Sequence, residues 1–144
     1  MEIIREGEPF TGKFDFRETC FGIVECDGQI LLVRKKGQFS FPGGGIEENE
    51  SFEDCLAREF EEEAGYTVKS IKELVCVDCF WFTWGNYPMN TKANMFVVEV
   101  DIENVGLPTE EGHEVFWVPT DEVLNLLPLP YHKAAMKYYL EQKD

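Results

Sequence analysis

Hydrophobic and polar residues alternate along two stretches near the start of the chain, as strands with one buried face require. The first stretch is Phe14–Glu25 and the second is Gln29–Arg34. Asp27-Gly28 between them is typical of a two-residue hairpin turn, because both residues tolerate positive φ. A short extended piece follows and ends in Pro42-Gly43-Gly44-Gly45. The start of the chain is therefore predicted to form a hairpin followed by a glycine-rich loop.

A helical pattern of apolar residues begins after this loop and predicts a helix at Ser51–Ala64. Its apolar face consists of Phe52, Cys55, Leu56 and Phe60. Ser51 can cap the N-terminus, and Asp54 completes a capping-box pattern with it. Gly65 is expected to end the helix, because glycine readily adopts the left-handed conformation found there.

The remaining chain contains further predicted strands and then helices. The strands are Thr67–Phe82, Ala93–Val100 and Val115–Val118, and the helices are Thr120–Leu127, capped by Thr120 or Asp121, and Pro130–Gln142. This order of elements predicts an α/β fold in which helices pack on a mixed sheet. The 144 residues show no repeat, linker or shift in composition, so we expect a single domain over residues 1–144.

Composition and charge narrow the classes of partner. Hydrophobic residues make up 44% of the chain, which is enough for a core, whereas the net charge is −15. A surface this acidic repels phosphate backbones, so nucleic-acid polymers and anionic membranes are disfavoured as partners. No apolar run is long enough to cross a bilayer, and the N-terminal residues lack the basic-then-apolar layout of a signal peptide. We therefore expect a cytoplasmic protein.

The five cysteines are an odd number in a chain too large to need disulfides. We expect free, buried thiols in a reducing compartment. Cys76 and Cys79 lie three residues apart on a predicted strand, where their side chains point to opposite faces. They are therefore not expected to chelate zinc together.

Four glutamates occupy the five positions from Glu59 to Glu63. On a helix Glu59, Glu62 and Glu63 share one face, where like charges repel, and they lie close to the C-terminus, where the helix dipole disfavours anions. One interpretation is a solvated acidic face on an acidic protein. The other is a site for Mg²⁺ or Mn²⁺, which prefer oxygen ligands. The preceding glycine-rich loop favours the metal site, because its backbone can approach a bound phosphate closely.

Residues 44–66 resemble a complete Nudix box. Five residues separate Gly44 from Glu50, and seven more precede Arg58-Glu59-Phe60-x-Glu62-Glu63-x-Gly65-Tyr66. Outside this box segment the chain matches the family only in its order of elements. The resemblance implies an α/β/α sandwich whose box forms a loop–helix–loop on a mixed sheet. It also implies Mg²⁺-dependent cleavage of a pyrophosphate bond in a nucleoside diphosphate linked to another moiety.

The resemblance assigns roles to residues of the box. Glu59, Glu62 and Glu63 are the expected ligands of Mg²⁺, with Mn²⁺ as an alternative, and the Gly44 carbonyl is an additional ligand. Arg58 is expected to hold the carboxylates in place and, with Glu62, to be essential for catalysis.

The general base is less closely specified, because members of the family use either a box glutamate or a carboxylate from a later loop. Among Glu110, Glu111 and Glu114 we favour Glu111. His113 is a neighbouring candidate, because imidazole titrates near neutral pH.

Three residues are candidates for binding the substrate. Trp84 and Tyr87 lie at a predicted hairpin tip, where they could stack on a nucleobase or pack against the protein. Arg34 precedes the glycine-rich loop and could contact a phosphate or be an ordinary charge at the end of a strand. Motifs of the family's ADP-ribose, coenzyme A and NADH pyrophosphatases are absent or faint. The resemblance therefore favours the MutT-like class, which acts on nucleoside triphosphates and related small nucleotides.

Alternatives to a small-nucleotide hydrolase stay open. They are a non-catalytic nucleotide- or metal-binding module on the same fold, an RNA-directed decapping-type enzyme, which the acidic charge disfavours, and a structural domain with an acidic helix. A homodimer is also open, because the aromatic strand before Trp84 could serve a dimer contact as well as a substrate pocket.

Overall fold

Two β-sheets and three helices are found in residues 1–143, which the computed structural model describes. The strands are β1 (Ile3–Glu6), β2 (Asp15–Ile23), β3 (Glu25–Cys26), β4 (Gln29–Lys35), β5 (Gln38–Ser40), β6 (Gly43–Gly45), β7 (Val68–Phe82), β8 (Pro88–Val100) and β9 (His113–Pro119). The helices are α1 (Phe52–Ala64), α2 (Val123–Leu126) and α3 (Pro130–Gln142), with a 3₁₀ turn at Thr120–Glu122 before α2. No helix within residues 1–143 is long and apolar enough to cross a membrane.

The larger sheet is mixed and has the strand order β1-β7-β8-β2-β6. The β1–β7 and β2–β8 pairs are parallel, whereas β7–β8 and β2–β6 are antiparallel. The smaller sheet is antiparallel, with β4 paired to β3, β5 and β9. The predicted mixed sheet is thereby confirmed.

The strands separate two apolar cores because successive side chains point to opposite faces. Leu32 of β4 packs in the core that α2 and α3 cover, which also contains Phe21 and Phe41. Its neighbour Leu31 packs in the core beneath α1, together with Phe60. Helix α1 and helix α3 therefore lie on opposite sides of the sheets.

The capping residues of α1 have the predicted geometry. Ser51 Oγ accepts a hydrogen bond from the Asp54 N–H at 3.0 Å, and the Asp54 carboxylate accepts one from the Ser51 N–H at 3.4 Å. Gly65 ends the helix with φ of 74°. The turn at Asp27-Gly28 is also confirmed, since both residues have positive φ, but of the predicted first strand only Glu25 pairs with β4, and Asp15–Ile23 belongs to the larger sheet. These local features fix where the glutamates of α1 point.

Three predictions of secondary structure were wrong in part. Strand β1 was not predicted, and β8 begins at Pro88 rather than at Ala93, because the residues from Met89 onwards already pair with both β2 and β7. The helix expected from Thr120 is instead a 3₁₀ turn and the short helix α2. Thr120 does not cap it, because its hydroxyl donates to the Glu25 carboxylate at 2.8 Å.

The prediction of free thiols is wrong for Cys20 and Cys55, which form a disulfide. Strand pairing places Cys20 opposite Gly44, and α1 packs Cys55 over it. The other three cysteines in the described residues, Cys26, Cys76 and Cys79, are free. The two bonded cysteines are 35 residues apart, so their meeting depends on tertiary packing that their spacing does not indicate.

Candidate active site

The box segment brings the glycine strand β6 against the acidic face of α1. A Cβ atom on Gly44 would lie 2.8 Å from Oε1 of Glu59, so glycine leaves the room in which this carboxylate lies. The Gly43 N–H donates a hydrogen bond to Oε1 of Glu63 at 2.8 Å. Gly44 and two of the predicted ligands are therefore brought together at this strand.

Arg58 lies among the carboxylates. Its Nε and Nη2 donate to the two oxygens of Glu50 at 2.7 and 2.9 Å. Its Nη1 donates to Glu59 at 2.9 Å and to Glu62 at 3.3 Å. The hydrogen bonds from Arg58 lower the pKa of Glu50 to about 2, and those to Glu50 raise the pKa of Arg58. This geometry suits the role of holding the carboxylates in place.

Burial raises the pKa of two glutamates in the cluster. For Glu59 the hydrogen bond from Arg58 opposes the effect of burial without cancelling it. Burial raises the pKa of Glu63 to about 8, and the charges of Glu59 and Glu110 add to it, while the Gly43 N–H opposes it. Burial of a carboxylate without a compensating cation favours its neutral form. For Glu59 burial thus outweighs the ion pair with Arg58, and for Glu63 it outweighs the hydrogen bond from Gly43.

The oxygens that Arg58 leaves available fit a hard divalent cation. Arg58 contacts Oε1 of Glu59 and Oε2 of Glu62, and the other oxygen of each accepts no hydrogen bond within residues 1–143. Carboxylate oxygens are ligands that Mg²⁺ prefers. Within residues 1–143, however, no three His, Cys, Asp or Glu side chains are placed so that they could hold a metal ion as they stand. Arg58 lies between Glu59 and Glu62 and pairs with both.

A loop before β9 reaches the C-terminal end of α1. The Glu110 N–H donates to the carbonyl of Glu62 at 2.9 Å, and the Glu110 carboxylate pairs with Lys35 at 3.1 Å. The side chain of His113 is fully buried (0% exposed), with Nε2 3.3 Å from Oε2 of Glu63. Its Nδ1 lies 3.7 Å from Oε1 of Glu110, and neither ring nitrogen makes a hydrogen bond in the described part of the chain.

The loop before β9 brings a different carboxylate to the cluster from Glu111, the one that we favoured from the sequence. Glu110 lies beside the glutamates of α1, whereas Glu111 is exposed and the chain turns at Gly112 with φ of 84°. The contact of the Gly43 N–H with Glu63 was not predicted. The candidate His113 does lie at the cluster, and the alternation of β9 places it there, because Val115 and Trp117 share its face towards α1.

Arg34 is already paired in the structure. Its guanidinium makes two-pronged contact with Glu114, with N–O distances of 3.0 to 3.1 Å. This pairing lowers the pKa of Glu114. The guanidinium also lies over the rings of Phe116 and Phe39, at 4.8 and 5.4 Å from their centroids. A phosphate bound by Arg34 would have to replace Glu114.

Trp84 and Tyr87 lie on the predicted hairpin tip and are 87% and 67% exposed. They line different cavities. Trp84 lines one of about 340 Å³ together with Lys35 and Leu129, and Tyr87 lines another with Phe14. Lys35, which lines the Trp84 cavity, also contacts Glu110, whereas the structure does not bring Tyr87 to the glutamates.

Comparison with proteins of known sequence shows which family the chain belongs to. The family model described as the NUDIX domain matches residues 17–142. The chain belongs to the Nudix family. The RNA pyrophosphohydrolase of Haemophilus influenzae is 30% identical over 149 aligned residues, which cover 87% of this chain and 76% of that protein. The RNA pyrophosphohydrolase of Pasteurella multocida is 28% identical, with coverage of 87% and 75%.

Solved structures agree with this assignment. The MutT protein from Bacillus halodurans superposes on this Nudix protein with a TM-score of 0.73 and 27% identity, covering 88% of this chain and 83% of that one. A NUDIX hydrolase from Nitrosomonas europaea has a TM-score of 0.67 at 19% identity, covering 88% and 90%, and supports the fold alone. The predicted α/β sandwich and the resemblance to the Nudix hydrolases are thus confirmed, and the chain is a Nudix hydrolase.

Proposed function

We propose that this Nudix hydrolase cleaves a pyrophosphate bond in a small nucleotide, most readily a nucleoside triphosphate, and that it depends on Mg²⁺. The observation that carries the proposal is the closeness of Glu59 to Gly44, where an added Cβ atom would lie 2.8 Å from Oε1 of Glu59. A buried carboxylate, whose pKa is raised even though Arg58 pairs with it, is thereby set beside a glycine backbone that a phosphate can approach.

The contacts of the side chains support the following roles. Glu59, Glu62, Glu63 and the Gly44 carbonyl would hold the cation, and Arg58 keeps the carboxylates aimed at it. When bound, Mg²⁺ supplies charge neutralisation for the phosphates and activation of the attacking water. Mn²⁺ has the same preference for oxygen ligands and is expected to substitute.

The water that attacks phosphorus must lose a proton as the new P–O bond forms and the bridging P–O bond breaks. Glu110 and Glu111 are the candidates from the loop before β9. Glu110 has the better position, because it lies against the C-terminal end of α1, whereas Glu111 is exposed. Parallel pH–rate profiles of Glu110→Gln and Glu111→Gln decide between them, since loss of the base removes the acidic limb of the profile.

The cavity beside Trp84 is the proposed position of the nucleoside. Its volume of about 340 Å³ and its lining by Phe39, Trp84 and Leu129 suit a base and sugar. Aromatic stacking accepts any base, so this lining does not specify one. Lys35 connects the cavity to the loop carboxylate Glu110.

A second candidate function is removal of pyrophosphate from the 5′ end of an RNA. The relatives named as RNA pyrophosphohydrolases favour it, with 30% identity over most of the chain. The net charge of −15 opposes it, because a polymer brings further phosphates to an acidic surface.

A substrate panel tests both candidates. It contains ordinary and oxidised nucleoside triphosphates, ADP-ribose, nucleotide sugars, dinucleoside polyphosphates and a 5′-triphosphorylated oligoribonucleotide, each with Mg²⁺ and then with EDTA. We expect Mg²⁺-dependent release of phosphate or pyrophosphate from a small nucleotide, lost in Glu62→Gln and retained in Glu61→Gln, whose side chain is exposed. Faster turnover of the oligoribonucleotide selects the second candidate. No turnover alongside intact metal binding leaves a non-catalytic module.

Two expectations about the whole molecule stay predictions. A homodimer would use the exposed aromatic residues of the hairpin tip, including Phe82 and Trp84, and light scattering coupled to gel filtration tests it. The cytoplasmic location is tested by fractionation of cells that produce the protein.

A further inference from the structure

Arg17 lies on the opposite side of the glycine strand from Glu59. Strand pairing sets Cys20 opposite Gly44 and Thr19 opposite Gly45, so the two glycines face opposite sides of the sheet. A Cβ atom on Gly45 would lie 3.1 Å from Nη2 and 3.3 Å from Nε of Arg17. The three-residue strand β6 is therefore flanked by a carboxylate on the α1 side and by a guanidinium on the α3 side.

Arg17 is exposed and has no anionic partner in the described structure. Within residues 1–143 its guanidinium makes no ion pair and no side-chain hydrogen bond, although acidic residues outnumber basic ones by 28 to 13. Arg34 and Arg58, by contrast, are both paired with carboxylates. A guanidinium left unpaired in so acidic a protein is available to an anionic ligand.

Arg17 also lies on the face of the sheet that leads to the Trp84 cavity. It pairs across strands with Thr91, and paired residues share a face. Thr91 accepts a hydrogen bond from Nε1 of Trp81 at 2.9 Å. Trp81 in turn lines a neighbouring cavity of about 290 Å³ with Trp84 and Leu129.

Tyr131 connects the same residues from the α3 side. Its ring centroid lies 5.6 Å from that of Trp81. Burial raises the pKa of Tyr131 to about 12, and the positive charge of Arg17 opposes this rise. The charge of Arg17 therefore acts on the start of α3, and Pro130, the first residue of α3, lines the cavity of about 290 Å³.

Both cavities that Trp84 lines also contain Leu129, next to α3, whereas the box glutamates lie on α1, on the other side of the sheets. Strand β6 is at the edge of the larger sheet, so no further strand covers its outer side. We propose that Arg17 binds the phosphate nearest the nucleoside, on the α3 side of β6, while the reacting phosphorus lies on the α1 side. This inference rests on the proposed function, and it names the retained phosphate as the group that Arg17 recognises. The planar guanidinium can contact two phosphate oxygens at once.

The test measures the binding of nucleoside monophosphates, which carry only the phosphate nearest the nucleoside and are not hydrolysed. GMP and AMP are titrated calorimetrically into the wild-type protein, Arg17→Gln, Arg17→Lys and the matched control Arg5→Gln, which removes another unpaired arginine of the same sheet. We expect Arg17→Gln to weaken binding about ten- to a hundredfold, as loss of a charged hydrogen bond does, with Arg17→Lys between it and the wild type. Arg5→Gln should bind as the wild type does.

A second variant and a kinetic measurement separate failure of the Arg17 phosphate site from failure of the proposed hydrolase function. Gly45→Ala places a methyl group against the guanidinium and should also weaken binding, with Arg17 itself unchanged. With the best nucleotide of the panel, Arg17→Gln should raise KM more than it lowers kcat. Unchanged monophosphate binding and KM in Arg17→Gln, in a wild type that turns over nucleotides, overturn this inference alone. A wild type that binds neither monophosphate and hydrolyses no nucleotide overturns it together with the proposed function.

Discussion

Nε2 of His113 lies 3.3 Å from Oε2 of Glu63, on the side of the carboxylate opposite to the Gly43 N–H. Glu63 is therefore contacted at one oxygen by the glycine strand and at the other by the first residue of β9. The side chain of Glu63 on α1 thus lies between β6, which donates a hydrogen bond to it, and β9, which packs His113 beside it. Contacts of this kind help to orient metal ligands.

We predict that His113→Ala lowers kcat about tenfold, because residues that orient metal ligands typically contribute that much. His113→Gln should recover part of the loss, since its amide can still contact Glu63. The control is Val115→Ala, which opens space on the same face of β9 without touching Glu63. Steady-state kinetics of the three variants check the prediction, and equal losses in His113→Ala and Val115→Ala would reduce His113 to a packing role.

Gly44→Ala should weaken metal binding while leaving the fold intact. The added methyl would lie 2.8 Å from Oε1 of Glu59, and the flexible carboxylate can move away more easily than the backbone. Calorimetric Mn²⁺ binding and thermal unfolding measure the two effects. Gly12→Ala is the matched control, because a Cβ there meets no atom within 4 Å. A Gly44→Ala variant that binds Mn²⁺ as tightly as the control does contradicts the proposed ligand position.

Arg58→Lys should cost about 1–3 kcal/mol of unfolding free energy and much of the activity. A lysine ammonium cannot contact both oxygens of Glu50 and also reach Glu59 and Glu62. Arg34→Lys is the control, because the Glu114 partner of Arg34 is largely exposed and such pairs contribute about 0–1 kcal/mol. Urea denaturation compares the two variants. Similar losses in both would indicate that Arg58 does not organise the cluster.

Because His132 is buried in its neutral form, we predict that the protein loses stability on acidification. Its buried imidazole packs against the rings of Phe21, Phe41 and Tyr131, and burial lowers its pKa to about 3. The unfolded chain has the ordinary value near 6.5, so between these values the unfolded state binds the proton and the folded state does not. Stability contributed by the neutral imidazole is therefore present above pH 6.5 and falls as the pH falls towards 3.

The variant His132→Leu removes this titration. Urea unfolding at pH 7 and pH 5 should show a larger loss for the wild type than for His132→Leu. Parallel losses would mean that the acid sensitivity arises elsewhere in the protein.

Local features of the fold could be predicted from the sequence because their causes are local. The capping box at Ser51 and Asp54 and the helix at Pro130–Gln142 depend on neighbouring residues and have the predicted bounds. Strand β1 is four residues long and pairs with β7 in the register Ile3 to Cys76. Nothing in so short a segment indicates a partner that far along the chain.

In the candidate site, too, the contacts within one helix could be predicted from the sequence, and those between distant strands could not. The box glutamates and Arg58 share one helix, so their spacing already places them on a common face. His113 and Glu110 reach that face only through the pairing of β9 with β4 and the loop before it. Arg17 meets Gly45 through the pairing of β2 with β6. These contacts depend on the sheet, which the sequence predicted as a class but not strand by strand.

The central claim is that the acidic face of α1 binds a divalent cation, and a Mn²⁺ titration tests it most directly. The titration compares the wild type with Glu62→Gln and with Glu61→Gln, whose exposed side chain lies on the same helix outside the cluster. We predict saturable binding and a raised thermal midpoint in the wild type and in Glu61→Gln, because the cation stabilises the folded state. Glu62→Gln should stay folded, bind Mn²⁺ more weakly and lose most turnover. Equal binding in Glu62→Gln and the wild type, or no binding at millimolar Mn²⁺, would contradict the account and leave α1 with a solvated acidic face.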